Sequence, residues 1–232
     1  MRRKIYTNIV PILTGLLPIT AIVLSYFVSA SYGHVQWCVP LWDGCTTISA
    51  IGRQVPESMI FKGTMNVAAV FIMLYWYLCY AWLKSSDEKH RRSFAIMLFL
   101  GLGSAIFLIV YVTALGHIGD NYRVQRRIGV TLFFAFGFFA QIIQLLTQWR
   151  IRSVWRSKKS SIILFIQTGL IANLFIIGIA NLVFHYMLEW EKWIDNIIEW
   201  NFTLLSSLFY FLTFVIWRAT KFHLYIDIKN NS

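Results

Sequence analysis

Six stretches of this chain run uncharged for long enough to cross a hydrocarbon core about 30 Å thick, which takes roughly 20 helical residues. The first follows Ile5. The others lie between Lys62 and Lys84, Arg92 and Asp120, Arg127 and Arg150, Lys159 and Glu189, and Glu199 and Arg218. Backbone N–H and C=O groups find no water in lipid, so only helices and closed barrels span it. These tracts are continuous apolar runs without the every-second-residue alternation of barrel strands. They predict an all-α polytopic membrane protein, a six-transmembrane-helix bundle. The spans fall at about 9–30, 60–83, 94–116, 128–149, 161–187 and 200–218, in one domain over 1–232, with the longest connection at 31–57. Composition points the same way: 58% of residues are hydrophobic and 13% charged, against roughly a quarter charged in a soluble domain.

Charge sets the expected orientation. The chain carries 21 Lys and Arg against 10 Asp and Glu, a net +11. With both termini cytoplasmic, 15 of the 21 basic residues fall inside, in four groups: Arg2 to Lys4, Lys84 to Arg92, Arg150 to Lys159 and Arg218 to Lys229. Arg53, Lys62, Arg123, Arg126, Arg127 and Lys192 fall outside with seven of the ten acids, so the positive-inside rule is obeyed. The excess charge is thus topological, and four short basic segments without a binding motif exclude a nucleic-acid partner. Arg2-Arg3-Lys4 before an apolar run imitates a signal peptide. The apolar part of a signal peptide is roughly 7–15 residues long. This run is about twice that length and contains Pro11 and Pro18, so a retained first span is expected.

The 31–57 connection concentrates what could carry recognition: His34, Cys38, Asp43, Cys45, Gly52, Arg53, Pro56 and Glu57. Cys38 and Cys45 lie on the oxidising side and bracket Asp43-Gly44, a turn candidate; they form either a disulfide or two free thiols. A metal site adding His34 matches no familiar zinc spacing, and no metal or cofactor is expected. Inside the membrane, Gly137, Gln141, Gln144 and Gln148 share one face of span four. They either hydrogen-bond to the polar stripes of spans five and six or line a polar cavity.

Ile48-Ser49-Ala-Ile-Gly52, Pro56-Glu57, Phe61 and Asn66-Val-Ala-Ala69 resemble the pattern I-S-x-x-G-x-x-x-P-E-x-x-x-F followed by N-[IV]-A-A of the DRAM/FRAG/SFK family. Gln141 and the Glu199-Trp200 pair match positions common there. The family comprises six-span proteins, among them autophagy modulators of lysosomal membranes, a factor in fatty-acid remodelling of GPI anchors, and the membrane portion of a yeast protein that installs ceramide on such anchors. The resemblance covers nearly the whole chain and implies membrane lipids as partners. Two positions depart from it: Thr46-Thr47 stands where many members have Pro-Tyr, and Arg126 where many have a histidine.

Two roles suit the motif. As a re-entry corner, Gly52 frees the backbone, Pro56 suits a helix's first turn and Glu57 complements its dipole. As the rim of a lipid-headgroup site, Ser49, Arg53 and Glu57 would act with Arg123, Arg126 and Arg127, since guanidinium pairs bidentately with phosphate. The alternative for the arginines is salt bridging to Asp120, Glu57 or the acids at 189–199. The function expected is binding or organising membrane lipids, with recognition on the non-cytoplasmic face. A membrane-embedded acyl hydrolase or acyltransferase using His117, His185 or Glu199 is the second reading, and a small-solute transporter the third. The sequon at Asn201 lies too close to the bilayer to be glycosylated.

Overall fold

The computed structural model describes residues 2–5, 7–86, 90–155, 158–187 and 191–227, with side chains at 7–86, 90–151, 160–181, 183 and 191–223. The described helices are α1 (Ile9–Ser31), α2 (Pro40–Asp43), α3 (Glu57–Ser86), α4 (Arg91–Ala114), α5 (Asp120–Trp155), α6 (Lys158–Met187) and α7 (Lys192–Ala219). All but α2 are long and apolar enough to cross a membrane. Helices outrun the uncharged tracts that announce them. The α5 helix starts at Asp120 rather than near 128, because turns carrying Asp120, Arg123 and Arg127 are exposed and the acid in the first turn complements the helix dipole.

The six long helices close a ring in the order α1, α3, α4, α5, α6, α7, and back to α1. Each neighbours its sequence successor, as short connections dictate, and α1 closes onto α7. The seam between α5 and α6 is the most sparsely packed. Aromatic side chains fill the interior of the ring between α3 and α7: Tyr75 meets Tyr210 edge-on at 4.8 Å and stacks on Trp217 at 6.0 Å, and Trp217 in turn meets Phe222 at 5.0 Å. Trp76 and Trp217 are fully buried. Gly101 of α4 lies directly beneath the Trp76 indole, a backbone approach of the kind small residues permit between membrane helices, with no room for a Cβ.

One feature goes unannounced by the apolar tracts. Residues Arg2–Ile5 (β1) and Leu224–Asp227 (β2) pair as an antiparallel ribbon, Arg2 opposite Asp227 and Ile5 opposite Leu224. The beginning of α1 and the end of α7 therefore lie at the same end of the bundle, the terminal end. The opposite, loop end carries residues 32–56.

Candidate functional site

The 32–56 connection is a cap docked onto α1 and α7. Cys38 and Cys45 are joined by a disulfide, with Cα atoms 6.6 Å apart; its thiols are therefore not available to hold a metal with His34. Tyr26 of α1 pins one side, its hydroxyl accepting from the Cys38 N–H (2.8 Å) and donating to the Cys38 carbonyl (2.7 Å). The start of α7 pins the other. Asn196 Nδ2 donates to the Gly44 carbonyl (2.6 Å), Trp200 Nε1 to the Thr46 carbonyl (2.9 Å) and Asn201 Nδ2 to the Leu41 carbonyl (3.1 Å), while the Ile48 N–H donates to Glu199 Oε2 (3.2 Å). Gly44 ends α2 at a left-handed φ of 59°, pressed against the Trp193 carbonyl. A side chain there would be both strained and obstructed. The Asn201 amide of the sequon is already committed to the cap.

Beneath the cap lie two adjoining spaces. An internal cavity of about 50 Å³ is lined by side chains of α1, α3, α4, α5 and α7 and by Ile48 of the cap. Its polar members are Tyr111, Gln141, Glu199, Thr203, Ser206, Ser207 and Tyr210. A groove of about 700 Å³ opens sideways between α5, α6 and α7, where the ring is loosest. Val130, Phe134 and Phe138 wall both spaces, and so does Glu199. Apart from Glu199, the groove is closed by Phe139, Leu174, Phe175, Ile179 and Phe202, with Thr131, Asn181 and Asp195 as its other polar groups. The surrounding helices are membrane-spanning in length and composition, and the groove opens between them.

Residues 6–217 match the family model described as the Frag1/DRAM/Sfk1/Cwh43P N-terminal domain. The chain belongs to this family. Neither the curated proteins nor the solved structures contain a match to it. The Frag1/DRAM motif of this chain folds into the cap and its supports. Ile48 is buried, Ser49 Oγ lies 3.1 Å from Thr47 Oγ1 and accepts from Arg53 Nη2 (3.2 Å), and Gly52 packs on Phe61 and Leu115 where a Cβ would meet atoms at 2.7 to 2.8 Å. Pro56 follows a cis peptide bond from Val55. Glu57, read from sequence as part of a rim, is fully buried: its Oε1 lies 2.7 Å from His34 Nδ1, and its backbone carbonyl accepts from Ser25 Oγ at 3.4 Å. The second Glu57 oxygen and Asn66 Oδ1 are buried without a partner.

The three arginines are dispersed. Arg126 Nη1 donates to the carbonyls of His117 (2.8 Å) and Ala114 (3.2 Å). These are groups that the end of α4 leaves open. Arg123 pairs with exposed Asp120 at 3.0 Å, the salt-bridge alternative, and Arg127 is exposed on α5. His117 faces outward and stacks on Tyr122 at 4.9 Å, sharing no described hydrogen bond with Glu199. His185 lies on α6 among the positions whose side chains fall outside the described residues. The polar stripe of α5 divides: Gln141 lines the cavity and donates to the Ser206 carbonyl (3.2 Å), whereas Gln144 joins a hydrogen-bonded node with Tyr75, Gln167 and Thr213. Sequence reasoning missed the groove. Its available signal was the spacing of Val130, Phe134 and Phe138, one aromatic-rich stripe on α5 that reads equally well as core.

Proposed function

We propose that this chain binds a membrane lipid, inserting an acyl chain between α5, α6 and α7 and holding the headgroup beneath the cap at the loop end. The observation that carries this reading is the apolar groove of about 700 Å³ opening between these helices and ending on Glu199, within the roughly 300–1,000 Å³ of small-molecule sites. A lipid already in the bilayer reaches such a mouth by lateral diffusion, without crossing water. The lipid chemistry associated with relatives of this family fits the same assignment, and binding of this kind supports remodelling or distribution of lipids.

Gly178 provides the test. It lies on the groove wall with nothing within 4 Å of an added Cβ, so Gly178→Phe fills the groove without colliding with the fold. Purified wild-type protein is expected to carry lipid detectable by mass spectrometry, and the variant to retain several-fold less. Equal lipid in the two proteins, both folded, removes the groove as the binding site.

The basic asymmetry supports a cytoplasmic terminal end and a cap on the opposite side of the membrane. A cysteine introduced at position 54 should react with an impermeant maleimide in intact cells, and one at position 90 only after permeabilisation. The reverse pattern inverts the orientation.

A further inference from the structure

The internal cavity identifies the class of headgroup, an inference that rests on the lipid reading above. Two of its polar atoms lack hydrogen-bond partners: the Tyr111 hydroxyl and Gln141 Oε1, in residues 4% and 1% exposed. An amide oxygen only accepts, and the Glu199 carboxyl keeps an oxygen able to accept in either protonation state. Glu199 receives one bond, from the Ile48 N–H, and no described Lys or Arg lies within ion-pair distance of it. Buried polar groups seek partners; the Tyr111 hydroxyl can donate one bond as well as accept, and beyond that one O–H the Glu199 carboxyl asks for a further hydrogen-bond donor. The cavity's roughly 50 Å³ accommodates about three to five water-sized groups, at roughly 10–15 Å³ each.

Arg53 belongs to the cap above, exposed, its Nη2 donating to Ser49 Oγ (3.2 Å) beside Ile48, which lines the cavity. A donor below and an anion-binding group at the rim describe a headgroup of two signs. We infer that the site takes a phospholipid whose headgroup ends in a primary ammonium, the N–H groups directed to Glu199 and the Tyr111 hydroxyl oxygen and the phosphate toward Arg53. Trimethylammonium has no N–H to donate, and a purely anionic headgroup leaves the carboxylate unanswered. The acidic Asp195 on the same end of the groove adds to this preference.

The test uses the full chain in nanodiscs containing equal amounts of phosphatidylethanolamine, phosphatidylcholine and phosphatidylglycerol with identical acyl chains, followed by extraction and mass spectrometry of the retained lipid. The ethanolamine lipid should be enriched about tenfold over the other two, the scale of one charge-assisted hydrogen bond. Glu199→Gln, whose amide oxygen can still accept from Ile48, should abolish the enrichment, and Tyr111→Phe should reduce it. Equal retention of all three lipids by the wild type, or an unchanged preference in Glu199→Gln, overturns the headgroup assignment and leaves the groove standing, its inner cavity then holding only water. Absence of any retained lipid in the wild type overturns the groove reading and this inference with it.

Discussion

Replacing Gly101 by alanine should destabilise the bundle by about 3 kcal/mol, although the same change elsewhere in these helices should help. In a helix interior, Gly→Ala is worth roughly 0.5–1 kcal/mol in favour of alanine, through the entropy of the unfolded backbone. At Gly63 and Gly169 an added methyl meets nothing within 4 Å, so that gain should appear undiminished. At Gly101 the added Cβ falls within the Trp76 indole. Trp76 has no room to retreat: it is fully buried, with Tyr75 at 5.0 Å and Tyr210 at 6.2 Å, both edge-on. Overpacking of this kind typically costs about 1–3 kcal/mol, occasionally more, and here it must also cancel the helix-propensity gain. The predicted difference is one of sign. Thermal unfolding in detergent, followed by tryptophan fluorescence, should place Gly101→Ala below the wild type and Gly63→Ala at or above it. Gly101→Ala as stable as the wild type would mean that α3 and α4 can slide apart at no cost, and that Trp76 does not set their spacing.

This contact also illustrates what a single sequence yields. The six spans are legible because lipid leaves backbone polar groups one helical solution, and any charge within a span is expensive. The glycines of span three look like close packing, but nothing in the chain names Trp76 as the partner of Gly101, since tertiary register is not a periodic property. The same gap affects the site. Glu57 follows Pro56 at a helix start, a pattern that suits dipole complementation at an exposed rim; its burial on His34 depends on how the long connection before it folds back. Arg126 breaks the charge pattern on its face and so suggests a phosphate, yet it spends its guanidinium on two carbonyls at the end of α4. Glu199 was visible as half of a family-like pair and as one of three candidate catalytic groups, not as the meeting point of two spaces. Its position between a lateral groove and an internal cavity follows from three helices meeting the cap, and no one of those helices carries an unusual spacing. The terminal ribbon is hidden for a different reason: four residues at each end are too short a stretch for alternation to register.

Thr213→Val should cost about 2–3 kcal/mol, the scale of stranded buried hydrogen-bonding groups, and act mainly on α6. The substitution keeps the shape of the side chain and removes only a hydroxyl, so cavity formation is not at issue. That hydroxyl is the centre of a fully buried node. Tyr75 of α3 donates to Gln144 Oε1 on α5 (2.8 Å); the Nε2 groups of Gln144 (3.2 Å) and of Gln167 on α6 (3.1 Å) converge on Thr213 Oγ1, which itself donates to the Phe209 carbonyl (3.2 Å). Four helices are joined at this node. A single interhelical hydrogen bond in a membrane averages about 0.6 kcal/mol and reaches roughly 1.7, but valine strands two buried amides at once, with no water at hand to take them. The Phe209 carbonyl offers Gln167 a poorer substitute at 3.4 Å. A double-mutant cycle with Gln167→Met should therefore show coupling of about 1 kcal/mol, the range for residues sharing a partner. Strict additivity would indicate that the amides are already hydrated and that Thr213 is incidental. The consequence reaches the groove, because α6 is held to α5 at its terminal half by Trp149 Nε1 donating to Thr168 Oγ1 (2.9 Å) and by this node, while its loop half diverges to open the lateral mouth. Anchoring one half of a helix is what lets the other stand apart without collapsing into the seam. Thr213→Val should accordingly lower lipid retention at temperatures where the bundle as a whole is still folded, whereas Gly178→Phe should lower it at every temperature.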